Sequence, residues 1–156
     1  MTWQLIQRKP LDGIDLPKPA NKRPKIVEKN RVVKLLEGAS ATRLYGLIML
    51  DLATGASRGE LLALQWPDID FASGIMNVTK SLEQTKKGLR VKSTKSRKPR
   101  RFAVSAAALD ALRSHRVQQD RNRELFGSDY QDNQLVFCRP DGGYYSPDRV
   151  GARVVS

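Results

Sequence analysis

Residues 54–70, Thr-Gly-Ala-Ser-Arg-Gly-Glu-Leu-Leu-Ala-Leu-Gln-Trp-Pro-Asp-Ile-Asp, constrain the fold more tightly than any other stretch of the chain. A glycine-bearing turn opens into a short apolar helix, expected over about 57–64 and carrying Leu61, Leu62 and Leu64. Trp66-Pro67 stops it, because proline cannot continue a helix. Gly55 tolerates the left-handed conformation that ends helices. It therefore also closes a preceding helix over roughly 41–53, whose apolar face holds Leu44, Leu47, Ile48 and Leu52.

The rest of the chain falls in place around this junction. From Ile26 the spacing of Val32, Val33, Leu35 and Leu36 predicts a helix, with Gly38 as its stop. After Trp66 the pattern turns to short strands: Ile75–Thr79, Leu89–Lys92 and Arg101–Val104. Joined by basic turns, they predict a small three-stranded antiparallel sheet. A long helix follows over about 105–125, starting at Ser105 and stopping near Gly127. Leu135-Val136-Phe137 reads as a brief extended segment, Pro140-Asp141-Gly142-Gly143 as a turn, and a last helix begins after Ser146-Pro147-Asp148. The class is α+β, mainly helical. Before residue 26, prolines at positions 10, 17, 19 and 24 make an extended connector, and Trp3, Leu5 and Ile6 are too few to build a core.

Charge narrows the function classes. Lys and Arg number 28 against 16 Asp and Glu, a net charge of +12 over 156 residues, which points to a polyanionic partner and first of all to nucleic acid. Charge alone leaves open a basic protein with no specific partner. The excess is concentrated: no acid lies between Glu83 and Asp110, a window holding Lys86, Lys87, Arg90, Lys92, Lys95, Arg97, Lys98, Arg100 and Arg101. Cations near phosphates displace condensed counterions, so such a cluster gives salt-dependent, largely sequence-blind DNA affinity. A solvated charged loop is the alternative. Cys138 is the only cysteine, so no intrachain disulfide forms. No apolar run reaches the roughly 20 residues that span a bilayer, and Met1-Thr2-Trp3-Gln4-Leu5 lacks a signal pattern, so the expected location is cytoplasmic, away from membranes.

Thr54-Gly55-Ala56-Ser57-Arg58-Gly59-Glu60-Leu61, with the leucine-rich helix and Trp66 to Asp70 behind it, resembles the signature of the phage integrase (tyrosine recombinase) catalytic domain, which runs Thr-Gly-x-Arg-x-Gly/Ser-Glu/Asp-Leu. One position departs: Ser57 stands where the family carries its first catalytic arginine. Lys95-Ser96-Arg97-Lys98-Pro99-Arg100-Arg101-Phe102-Ala103-Val104 is similar to the family's lysine-bearing hairpin, which makes Lys95 the candidate hairpin lysine and Lys92 the next in register.

The resemblance implies an integrase-like catalytic-domain fragment over 26–156, with 1–25 as the end of a core-binding arm plus linker. It implies duplex DNA as partner, no metal or cofactor, and self-association on DNA only in a full-length form. In the family a tyrosine attacks a phosphodiester to give a 3′-phosphotyrosine, arginines stabilise the nonbridging oxygens, and the hairpin lysine protonates the departing 5′-oxygen. The His-x-x-Arg motif and the nucleophilic tyrosine are expected beyond Ser156, so these residues alone are expected to be inactive.

Candidates inside the chain do not replace them. His115 is followed three residues later by Gln118 and is expected as a solvated helical histidine; Tyr45 is expected in the core. Tyr130, Tyr144 and Tyr145 precede the place where His-x-x-Arg would stand, and Cys138 is expected as an inert, partly buried thiol. Trp66 and Phe71 are expected to pack. At position 57 a hydroxyl offers one neutral donor in place of a bidentate cation, and Arg58 is a possible substitute only if the turn before it is reshaped. Two other classes stay open: a non-enzymatic DNA-binding regulator from a decayed integrase gene, and an unrelated helical protein whose basic arm binds RNA. The lack of aromatics among the hairpin cations counts against the second.

Overall fold

The structure, a computed structural model, describes residues 28–93, 100–148 and 150. Four helices carry the frame: α1 (Lys29–Ala39), α2 (Tyr45–Thr54), α3 (Arg58–Leu62) and α4 (Ala106–Phe126). Five strands lie between α3 and α4: β1 (Ile69–Asp70), β2 (Ile75–Val78), β3 (Lys80–Thr85), β4 (Gly88–Ser93) and β5 (Arg100–Ala103). The α+β expectation holds, with two of the expected strands in one sheet and the other elsewhere. The three-stranded antiparallel sheet has the order β1-β2-β5, while Leu89–Lys92 belongs to a separate two-stranded hairpin, β3-β4. The sequence hid β1 because it is two residues long. It hid β3 because Lys80-Ser81-Leu82-Glu83-Gln84-Thr85 buries only Leu82. Without alternating apolar residues a strand has no period to read.

Helix ends follow local chemistry. Gly55 has φ +60° and closes α2, its N–H donating to Asp51 O at 2.7 Å. Ser105 caps α4 and Gly127 ends it, as expected. Gly38 does not stop α1; the helix runs one residue further and Ser40 bonds back to Glu37 O at 2.7 Å. Only Ala39 of α1 is buried, and Val33 and Leu35 lie exposed, so α1 rides on the surface. Leu52, expected on the inner face of α2, is likewise exposed.

The core forms where α2, α3, the small sheet and α4 meet: Leu50, Leu61, Leu62, Met76, Val78, Leu112, Val136 and Phe137 are all buried there. The Leu135-Val136-Phe137 segment docks by an antiparallel bridge, Trp66 N–H to Gln134 O and Val136 N–H to Leu64 O, both 2.9 Å. The Trp66 indole donates to Gln119 Oε1 at 2.7 Å, and Gln119 Nε2 donates to Leu135 O at 2.9 Å. One buried amide thus ties the end of the signature to α4 and to the far segment.

Gly59 brings α3 onto β3. A Cβ there would stand 2.5 Å from Leu82 O and 2.7 Å from Ser81 Oγ, closer than real Cβ atoms come. We expect Gly59→Ala to force the two elements apart and cost about 1–3 kcal/mol, as overpacking does. Gly38, with nothing within 4 Å of a Cβ, is the control: Gly38→Ala should stabilise the helix by about 0.5–1 kcal/mol. Thermal melts followed by circular dichroism should move in opposite directions; a shared direction contradicts the packing account.

Candidate nucleic-acid interface

The hairpin carries Lys86 and Lys87 at a two-residue tip between Thr85 and Gly88, which face each other in register. Gly88 takes φ +117°, a conformation L side chains rarely adopt, and Thr85 Oγ1 donates to Gly88 O at 2.8 Å. Lys86, Lys87 and Arg90 are exposed. Lys92 is half-buried and ion-paired with Glu83, which also faces Arg90 across the strands. Lys95, Arg97 and Lys98 fall on positions outside the described residues.

The last two cations of the basic window separate at β5. Arg101 stands opposite Asn77 and is exposed. Arg100 stands opposite buried Val78, so it leaves the sheet on the core side and reaches Glu60, with Nη1 at 3.1 Å from Oε1 and 3.3 Å from Oε2. Its guanidinium also lies over the Phe102 ring, 4.9 Å from the centroid. In sequence these neighbours look like equivalent cations; the pleat sends them to opposite faces.

Ser57 is the N-cap of α3. Its backbone is extended, with φ −65° and ψ 151°, its Oγ accepts the Glu60 N–H at 3.4 Å, and its own N–H donates to Glu60 Oε2 at 2.8 Å. This is a reciprocal capping box. Helical geometry begins at Arg58, so the fixed 100° rotation of successive helical residues does not govern the step from Ser57 to Arg58. Both side chains are exposed.

The remaining signature residues are architectural. Asp68 Oδ2 accepts the Gln65 N–H at 3.0 Å, and Asp70 Oδ1 accepts from Ala72 and Ser73 at 2.9 and 3.2 Å, shaping the turn into β2. Trp66 and Phe71 pack as expected, their rings 6.2 Å apart. They also engage α4: Arg116 lies over Trp66 at 5.1 Å and Arg113 over Phe71 at 5.5 Å. Arg123 lies over Tyr130 at 5.2 Å and pairs with Asp132 at 2.8 Å. Sequence gives no hint of these stacks, since aromatics and cations so far apart carry no spacing signal.

His115 corrects an expectation. It is half-buried, not solvated, and its ring sits 5.3 Å from Phe137. Its Nε2–H donates to Val136 O at 2.8 Å, which fixes the tautomer because a carbonyl only accepts. Burial holds its pKa below the usual 6.5, with the Arg43 charge acting the same way and the Val136 bond opposing. Tyr130 Oη faces Cys138 Sγ at 3.7 Å, and burial first, then the sulfur, pushes the phenol up to about 12. Cys138 is half-buried, its thiol pushed up mainly by burial, as an inert thiol would be. Tyr45 is half-buried on α2. Among the described residues no cluster of His, Cys, Asp and Glu could hold a metal ion, and no helix is long and apolar enough to cross a membrane.

In architecture the chain is similar to XerA recombinase, with a TM-score of 0.63 and 23% identity over 88% of this chain and 42% of that one. It is similar also to the Tn1549 transposon integrase in complex with a circular intermediate DNA, with a TM-score of 0.68 and 17% identity over 96% of this chain and 48% of that one. The fold is that of a tyrosine recombinase catalytic domain. Residues 25–150 match the phage integrase family, and the chain belongs to that family. It is 30% identical over 109 residues to a "Tyrosine recombinase XerC-like" protein of Caldanaerobacter subterraneus, covering 64% of this chain and 28% of that protein. It is 30% identical over 105 residues to the "Putative defective protein IntQ" of Escherichia coli, covering 67% of this chain and 26% of that protein. The match thus spans about a quarter of the length of these curated relatives.

A histidine kept neutral by burial makes stability depend on pH. Its folded pKa lies below the unfolded 6.5, so its contribution is complete above about 6.5 and is lost as pH falls through that value towards the folded pKa. The melting temperature should drop between pH 7 and pH ~5.5, and His115→Gln should flatten that drop. An unchanged pH profile in the variant contradicts the assignment.

Proposed function

We propose that this chain grips the backbone of duplex DNA as part of a tyrosine-type site-specific recombinase. The observation that carries it is the β3-β4 hairpin, with Lys86 and Lys87 exposed at its tip and Arg90 exposed beside them. Arg101 and Arg58 add exposed charge nearby in the sequence of elements. Such cations act on phosphates without reading bases. The Tn1549 integrase, similar in fold, is a protein seen bound to DNA, which supports the same partner here. We read residues 26–156 as the catalytic-type unit and 1–25 as the end of a core-binding arm plus linker. Lys95 is the candidate proton donor to a leaving oxygen. The protein acts in the cytoplasm without a membrane, and self-association on DNA belongs to a longer form.

The chemistry is weighed by Ser57. Its hydroxyl is a neutral donor where the family pattern places a guanidinium, and losing one preorganised donor costs about 10²–10³ in rate. Ser57 thus weakens the chemistry, and because none of Tyr45, Tyr130, Tyr144 and Tyr145 stands where the family pattern places its nucleophile, we expect the 156-residue polypeptide to bind DNA reversibly without covalent capture.

Fluorescence anisotropy with a labelled duplex over a range of salt tests the binding. Log K should fall linearly with log salt, and replacing Lys86, Lys87 and Arg90 together by alanine should flatten the slope by about one for each phosphate left unneutralised. No binding at low salt overturns the proposal. A nicked suicide duplex tests the second statement: no covalent adduct should survive denaturing electrophoresis, and an adduct contradicts it.

A further inference from the structure

Among the cations of the basic window, Arg100 has a distinct placement. It leaves the core-side face of β5, opposite Val78, and meets a carboxylate that is 10% exposed, while its own side chain stays 47% exposed. Among the described residues only Nη1 is bonded, to both oxygens of Glu60. A guanidinium has five N–H groups, so the three on Nε and Nη2 remain for another acceptor. Glu60 and the Phe102 ring fix the head of a side chain that would otherwise sample many rotamers. Such bracing lowers the entropy lost when the remaining donors find a partner.

Glu60 also decides what lies beside that head. Its Oε2 accepts both Arg100 Nη1 and the Ser57 N–H, so the guanidinium and the Ser57 turn converge on one oxygen. Ser57 Oγ accepts from Glu60 N–H, which leaves the hydroxyl hydrogen as a donor at an exposed position. Arg58 is the next residue and is exposed. The formal charges of Arg58, Arg100 and Glu60 sum to a single positive charge, the complement of one phosphodiester.

We propose that Arg100, braced by Glu60, forms with Ser57 and Arg58 a seat for one DNA phosphate, so that the cation at this turn is delivered from β5 instead of from position 57. The proposal rests on the DNA-binding reading above and deepens it by assigning one phosphate to named residues. Arg100 bridges the buried acid and the ligand, a role a free surface lysine could not fill. Arg101, on the other face of the strand, takes no part.

Salt-dependent duplex binding of the full 156-residue chain tests it. Arg100→Gln and, separately, Arg58→Gln should each flatten the slope of log K against log salt, by up to about one for a phosphate no longer neutralised. Arg58 is exposed, so its variant decides the matter even if Arg100→Gln melts at a much lower temperature. Adding Ser57→Arg to Arg100→Gln should restore the slope, because a guanidinium then reaches the seat from the turn; a purely structural role for Arg100 would give no such rescue. Wild-type slopes in Arg58→Gln, or in a folded Arg100→Gln, overturn the seat, as does failure of the rescue in a folded double variant. If the hairpin alanine variant still weakens binding in those cases, the DNA reading stands and only the seat falls. No duplex binding by the wild type at low salt overturns both.

Discussion

A buried carboxylate ties the start of α3 to the start of β5. Glu60 accepts from the Ser57 N–H at 2.8 Å and from Arg100 at 3.1 and 3.3 Å. A carboxylate taken out of water costs several kcal/mol unless such donors surround it, and removing one leaves an uncompensated charge. The capping box therefore fixes the start of α3, and the ion pair fixes where β5 begins. Since β2 and β5 are neighbours in the sheet, the chain between them must go out and come back, and β3-β4 is that excursion. Gly59 seats α3 directly on the outgoing strand at Leu82. Signature turn, hairpin and sheet edge are thus one mechanical unit.

The same interlocking explains why the segment 54–70 persists as a recognisable pattern while its arginine position holds serine. Nearly every residue in it has a structural role. Gly55 turns left-handed, Gly59 permits close approach, and Leu61 and Leu62 fill the core. Gln65 and Trp66 bridge to the 133–136 segment, and Asp68 and Asp70 shape the next turn. Ser57, at the N-cap, and Arg58 have exposed side chains. Serine at 57 is compatible with this architecture, because it supplies the N-cap of α3, and such a cap is worth about 1 kcal/mol to a helix. The match to the family over residues 25–150 thus includes many residues with structural roles.

Much of this is legible in the sequence. Helices α2 and α4 and their glycine stops follow from apolar spacing and left-handed conformations, and the basic window is plain from its lack of acids. The rest depends on long-range geometry. Neither β1 nor β3 has an apolar period, so the hairpin partner of Leu89–Lys92 cannot be found by alternation. His115 looks solvated among arginines because its acceptor, Val136 O, lies 21 residues away. Arg100 and Arg101 look alike until the register with Val78 and Asn77 gives them opposite faces. Trp66, Phe71 and Tyr130 carry no sequence sign of their cations, yet they stack against Arg116, Arg113 and Arg123.

Those stacks bear on which surface the proposed DNA contact would use. All four arginines of α4 are exposed, but Arg113 and Arg123 are paired with acids and three of the four lie over rings; among the described residues Lys86, Lys87 and Arg101, like Arg121, have neither kind of partner. The most direct test is an amide chemical-shift titration of the isotopically labelled chain with a short duplex. Shifts should move together at 57–60, 86–90 and 100–101 and stay small along α4. Dominant shifts along α4, with the hairpin and the Ser57 turn unmoved, would contradict the account.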